Sequence, residues 1–164
     1  MLLIATLIGI TLALSGLPAP PPEIAAYERA LEHYRAGRLD QASAILESAL
    51  QTASSDEVGL HSLLGWCRFR QGRNSDALSA FTRSLDLAPD NAEALEGLAR
   101  ASARLGRDKQ ALDAVVTLSR LHPEVDVGDV ASQVLSRPGS LEDHRLGRER
   151  KPEGEPGMVS RARG

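Results

Sequence analysis

One pattern repeats along the middle of this chain every 34 to 35 residues. Gly37, Gly72 and Gly106 recur at spacings of 35 and 34. The same offsets relate Arg38 to Arg73 and Arg107, Ala42 to Ala77 and Ala111, and Ala30 to Gly65 and Ala99. Leu46, Phe81 and Val115 form an apolar series at the same period, and Pro89 and Pro123 close the second and third units in the phrases LDLAPD and LSRLHPE. A period of this length points to a solenoid, whose units each bury their apolar side only by stacking on a neighbour.

Each unit divides into two amphipathic stretches about its glycine. In the second, Leu60, Leu63, Leu64 and Cys67 lie at helical spacing before Gly72, and Ala77, Leu78, Phe81 and Leu85 follow at helical spacing after it. A glycine that ends a helix accepts the left-handed conformation that reverses the chain, so each unit reads helix, tight turn, helix. Ser54 with Glu57, and Asp90 with Glu93, have the spacing of capping boxes that would open first helices.

These residues resemble the tetratricopeptide repeat family. Leu95, Leu98, Ala99, Gly106, Ala111, Val115 and Pro123 fill the family's pattern in the third unit, and Leu64, Gly65, Gly72, Ala77, Phe81 and Pro89 fill it in the second. The first unit matches at Ala30, Gly37, Ala42, Leu46 and Ala49 and is divergent. His61 stands where the family has a large apolar residue, and Arg68 and Ser102 replace its aromatic. The resemblance implies an all-α solenoid of three helix-turn-helix repeats, over 23–56, 57–91 and 92–125, with a capping helix over 126–136. That cap would show Val127, Val130, Ala131, Val134 and Leu135 on one face, because the last repeat otherwise exposes its apolar side.

Outside the repeats the composition changes. Residues 1–17, MLLIATLIGITLALSGL, are uninterruptedly apolar, and Pro18, Pro20, Pro21 and Pro22 follow as an extended linker over 18–22. The apolar run is at the short end of spanning helices and slightly longer than most signal-peptide cores. A retained membrane anchor and a signal peptide cut after Ser15 therefore both stay open, with an exported or membrane-anchored, extracytoplasmic protein as the expectation. No basic residue precedes the run to fix its orientation. At the other end, five glycines and three prolines among mixed charges predict a disordered tail over 137–164.

Charge argues against a nucleic-acid partner. The chain carries a formal −3, and the repeats hold most of its acidic excess. The single cysteine, Cys67, permits no intramolecular disulfide and reads as a small buried hydrophobe. His33, His61, His122 and His144 lie far apart, none at ligand spacing from a second His or Cys, so neither metal nor cofactor is expected. No Gly-rich phosphate loop and no Gly-x-Ser-x-Gly elbow is present. The expected protein is not an enzyme and has no small-molecule substrate.

In the family, first helices line a concave groove. The resemblance carries that role to Tyr27, Leu31, Tyr34 and Arg35, then Ser62, Trp66, Phe69 and Arg70, then Glu93, Glu96, Arg100 and Arg104. Aromatic area beside guanidinium groups suits an interaction surface, although the rings can equally fill core gaps and the arginines can pair internally. The Lys and Asn clamp with which some family members hold a C-terminal carboxylate is absent, since its positions carry Tyr27, Leu31, Leu63, Glu93 and Gly97. The function expected is a scaffold or adaptor that binds a partner protein or peptide and meets the membrane through residues 1–17. A subunit packed permanently within a larger envelope complex or homo-oligomer is the alternative.

Overall fold

The computed structural model describes residues 21–52 and 57–137, and among them are seven α-helices and no strand. In order they are α1 (Pro22–Arg35), α2 (Leu39–Thr52), α3 (Val58–Arg70), α4 (Asn74–Leu87), α5 (Ala92–Arg104), α6 (Asp108–Leu121) and α7 (Gly128–Leu135). Three helix pairs followed by a short seventh helix form the all-α tetratricopeptide-type solenoid that the resemblance implies.

The glycines make the turns within the pairs. Gly37, Gly72 and Gly106 have φ of 75°, 78° and 71°, a region that residues with a Cβ enter only at a steric penalty. Around each, two backbone bonds close the preceding helix. Gly37 N–H donates to Tyr34 and Arg38 N–H to His33, and the same pair recurs as Gly72 to Phe69 with Arg73 to Arg68, and Gly106 to Ala103 with Arg107 to Ser102. This is the Schellman arrangement, which satisfies carbonyls that a helix end leaves open.

Small residues then let the pairs nest. Ala30, Ala42, Ala77, Ala99 and Ala111 are all fully buried. Phe81 of α4 is fully buried too, and its ring lies between α3 and α5. A Cβ on Gly65 would come within 2.5 Å of that ring and one on Gly97 within 2.2 Å. The absence of both side chains therefore makes the hole that Phe81 fills. Apolar contacts run along the stack in three successive clusters, the first uniting α1, α2 and α3, the next α3, α4 and α5, the last α5, α6 and α7.

The stack also has an inside. α1 touches α3, α3 touches α5 and α5 touches α7, whereas no two of α2, α4 and α6 approach one another. Helices that crowd on one side and diverge on the other bend the array, so α1, α3 and α5 line its concave face and α2, α4 and α6 its convex one.

Several boundaries differ from the sequence reading. Pro22 is not linker but the first residue of α1, where its missing N–H is no loss. The cap of α5 is Asn91, whose side chain accepts from Ala94 N–H at 2.8 Å, in place of an Asp90 and Glu93 box. α3 opens at Val58 with Glu57 itself as the capping position and no side-chain capping bond, so Glu57 cannot close a box there, and Ser54 lies outside the described residues. In α7, Val130 and Val134 are buried as expected, but Leu135 is 43% exposed. Arg137 belongs to the folded part, since its guanidinium bonds Asp108 and the Ala103 carbonyl. The expectations for 1–17, 18–20 and 138–164 fall outside the described residues. Among the described residues no helix is long and apolar enough to cross a membrane.

Candidate functional site

Where the first three concave helices meet, Tyr27, Leu31 and Tyr34 of α1, Leu63 and Trp66 of α3, and Glu93 and Glu96 of α5 enclose a depression of about 310 Å³. Tyr27, Leu31 and Tyr34 share one stripe of α1 by helical spacing. Trp66 stands at its place because Phe81 supports it from behind, edge to face at 5.3 Å between centroids, and Phe69 flanks it at 5.6 Å and 89°. All three aromatic residues of the depression are partly exposed, so each combines a fixed seat with free ring area.

Charge is arranged tightly around these rings. Arg70 sits over Tyr34, 4.7 Å from the ring centroid, and donates to the Tyr34 carbonyl at 3.0 Å. Arg100 donates to Glu96 at 2.8 Å and to Asp129 of α7 at 2.7 Å, which ties the last helix to the concave face. That bond holds the Asp129 carboxyl below its ordinary range. Burial, and after it Glu93, push the Tyr27 phenol above its usual value, with Arg35 acting the other way.

The structure thus gathers six of the residues expected for the groove, Tyr27, Leu31, Tyr34, Trp66, Glu93 and Glu96, around one depression. Others have different work. Ser62 is fully buried and does not face the groove. Ser84 Oγ donates to the Val58 carbonyl at 3.2 Å, leaving Ser62 Oγ to donate to Ser84 Oγ at 2.7 Å, a polar link that joins α3 to α4. Phe69 is only 8% exposed, because Arg104 covers its ring at 3.8 Å from the centroid and reaches its carbonyl at 3.4 Å. Arg70, Arg100 and Arg104 therefore act within the fold, the internal role that the sequence reading left open beside binding of a partner's carboxylates. Arg35 is exposed on α1.

Leu63 is the groove residue that the period did not reveal. Its apolar character marked it for the core, and at 5% exposure it belongs there while its edge still floors the depression. Tyr27, Leu31, Leu63 and Glu93, four of the clamp positions, line the depression, and the fifth, Gly97, lies beneath Phe81. No lysine or asparagine lines it.

Cys67 is fully buried, and burial pushes its thiol up to about 11, against a bond to Ser43 that lowers it. A thiol so placed stays protonated near neutrality and is a poor nucleophile. No group of three His, Cys, Asp or Glu able to hold a metal ion exists among the described residues. The wider opening at the amino-terminal edge, between Pro22, Arg29, Ile45 and Thr52, has no aromatic residue, and Glu23 and Arg29 are its charged lining residues.

Comparison with known proteins supports the helical reading. No curated protein matches the chain. Among solved structures, a tetratricopeptide repeat protein from Parabacteroides merdae ATCC 43184 superposes with a TM-score of 0.57 at 28% identity, covering 63% of this chain and 41% of that one. The first TPR of Spaghetti (RPAP3), bound to the HSP90 peptide SRMEEVD, gives a TM-score of 0.59 at 15% identity, covering 75% of this chain and 87% of that one. PcrH, in complex with the chaperone binding region of PopB, gives 0.60 at 18%, covering 74% and 97%. The last two likenesses speak for the fold alone. Two sequence profiles described as tetratricopeptide repeat match residues 27–92 and 68–133, together about two thirds of the chain. With three glycine-turned helix pairs stacked on a concave face, the chain belongs to the tetratricopeptide repeat family.

Proposed function

We propose that this chain is a non-catalytic protein-interaction module that holds a segment of a partner protein on its concave face, with residues 1–17 anchoring it in a membrane or directing its export. The observation that carries the reading is the depression into which all three repeats contribute and in which Tyr27, Tyr34 and Trp66 keep ring area exposed. Rigid aromatic side chains in a concavity supply apolar area with little side-chain entropy to lose, as binding hot spots do. The likeness to RPAP3 and PcrH, each solved with a peptide or a segment of another protein, supports the same use of the fold.

A photoreactive amino acid placed at Leu31, in the depression, and at Ser79, exposed on α4, tests this in the source cells. The expected result is a crosslink to one discrete partner from Leu31 and none from Ser79. Crosslinks from Ser79 alone would place the partner on the convex face and refute the concave reading. The membrane part stands or falls separately. Full-length chain resisting extraction with alkaline carbonate supports an anchor, chain shortened at Ser15 outside the cytoplasm supports export, and full-length chain free in the cytosol contradicts both.

A further inference from the structure

The depression is selective in charge. Two of its seven lining residues are glutamates and none is basic. Glu96 and Asp129 share the single guanidinium of Arg100, so that group keeps a net negative charge. Glu93 is exposed and has no ion pair among the described residues. Outside the lining, Arg70 is held by the ring and carbonyl of Tyr34, and Arg35 is exposed on α1. Glu93 outweighs it at Tyr27, whose phenol is pushed up by burial and then by Glu93.

Ring faces attract cations through their quadrupole, and carboxylates at the edge of a half-dry pocket add a second attraction of the same sign. A carboxylate ligand entering here would meet two carboxylates and no basic side chain among the lining residues. Resting on the partner-holding reading above, we infer that the depression takes a lysine or arginine side chain, set beside an apolar residue of the partner's segment. The cation lies against Tyr27 or Trp66 with Glu93 as its counter-ion, and the apolar neighbour covers Leu31 and Leu63.

Trp66 is the only tryptophan in the chain, so its emission reports occupancy of the site directly. The full chain is titrated with positional-scanning pools of 12-residue peptides while that emission is read. Pools fixing Lys or Arg next to Leu, Ile or Phe should bind about tenfold tighter than pools fixing Asp or Glu there. Glu93→Lys, which breaks no ion pair among the described residues, should reverse that preference and lower the thermal midpoint only slightly, through the loss of the acidic residue in the first turn of α5. Acidic pools winning on the parent, or a preference unmoved by Glu93→Lys, would overturn the basic-ligand inference while the concave face remained a peptide site. Emission that no pool moves would overturn both readings. A synthetic copy of residues 141–152, which include Arg145, Arg148, Arg150 and Lys151, serves as a competitor. If it binds more tightly than every pool, this chain's own segment is the occupant and the partner reading fails.

Discussion

Phe81 sets how closely α3 and α5 approach. Its counterparts at the repeat offset, Leu46 and Val115, have no aromatic ring, so only this unit needs a hole on both sides, and Gly65 and Gly97 provide it. Gly65→Ala and Gly97→Ala should each destabilise by about 1 to 3 kcal/mol through overpacking, despite the roughly 1 kcal/mol that alanine gains over glycine in a helix. Gly59→Ala is the control. Its Cβ would meet Tyr27 at an ordinary 3.5 Å, so the same change there should be neutral or stabilising by up to about 1 kcal/mol. Denaturant unfolding of the three variants checks the signs, and equal effects would refute this account of the packing. Half of the pair was legible beforehand. The period marks Gly65 as a small position with Ala30 and Ala99, but Gly97 falls on the offset of Leu63, and only the ring above it explains its identity. Ser62 was misplaced for a related reason, since its hydroxyl answers to Ser84 on the neighbouring helix and not to any pattern within its own.

At the scale of elements, glycine turns and apolar periodicity were readable because both are local, and all three turns formed where expected. Caps were less so. Asp90 and Asn91 are both competent capping residues, and the choice between them depends on where the chain leaving Pro89 meets α5. The alanines that end the first turn of the second helices, Ala77 and Ala111, admit no extra volume, being fully buried. Ala77→Leu and Ala111→Leu should each cost about 1 to 3 kcal/mol, read as lower denaturant midpoints, and unchanged midpoints would contradict the register. A pH-sensitive latch joins two loops. His122 Nε2 lies 2.7 Å from the Asp90 carbonyl and Nδ1 3.2 Å from Glu124. With acceptors at both nitrogens, the Asp90 carbonyl first and Glu124 after it, the imidazolium is favoured and its pKa raised above the ordinary 6.5. The latch's contribution is therefore fully present below about 6.5 and lost as pH rises through the higher folded value. The parent should lose more thermal stability than His122→Gln between about pH 6 and pH 9. Parallel curves would exclude the latch.

Across the whole molecule, the repeats make a bent stack whose inner side carries the aromatic depression and whose outer side carries α2, α4 and α6. That the first helices face inward came from the resemblance, whereas which of their residues meet in one depression depends on how three units superpose, and no single helix encodes it. The arginines show the difference: the resemblance offered Arg100 and Arg104 to the groove, but Asp129 and Phe69, distant in sequence, decided what they bind. The most direct test is hydroxyl-radical footprinting of the full chain with and without the partner captured at Leu31. The account predicts protection of Tyr27, Tyr34 and Trp66, with Val116 and Leu121 of α6, both exposed on the outer helix, labelled as before. Protection of Val116 and Leu121 with the three aromatics unchanged would contradict it.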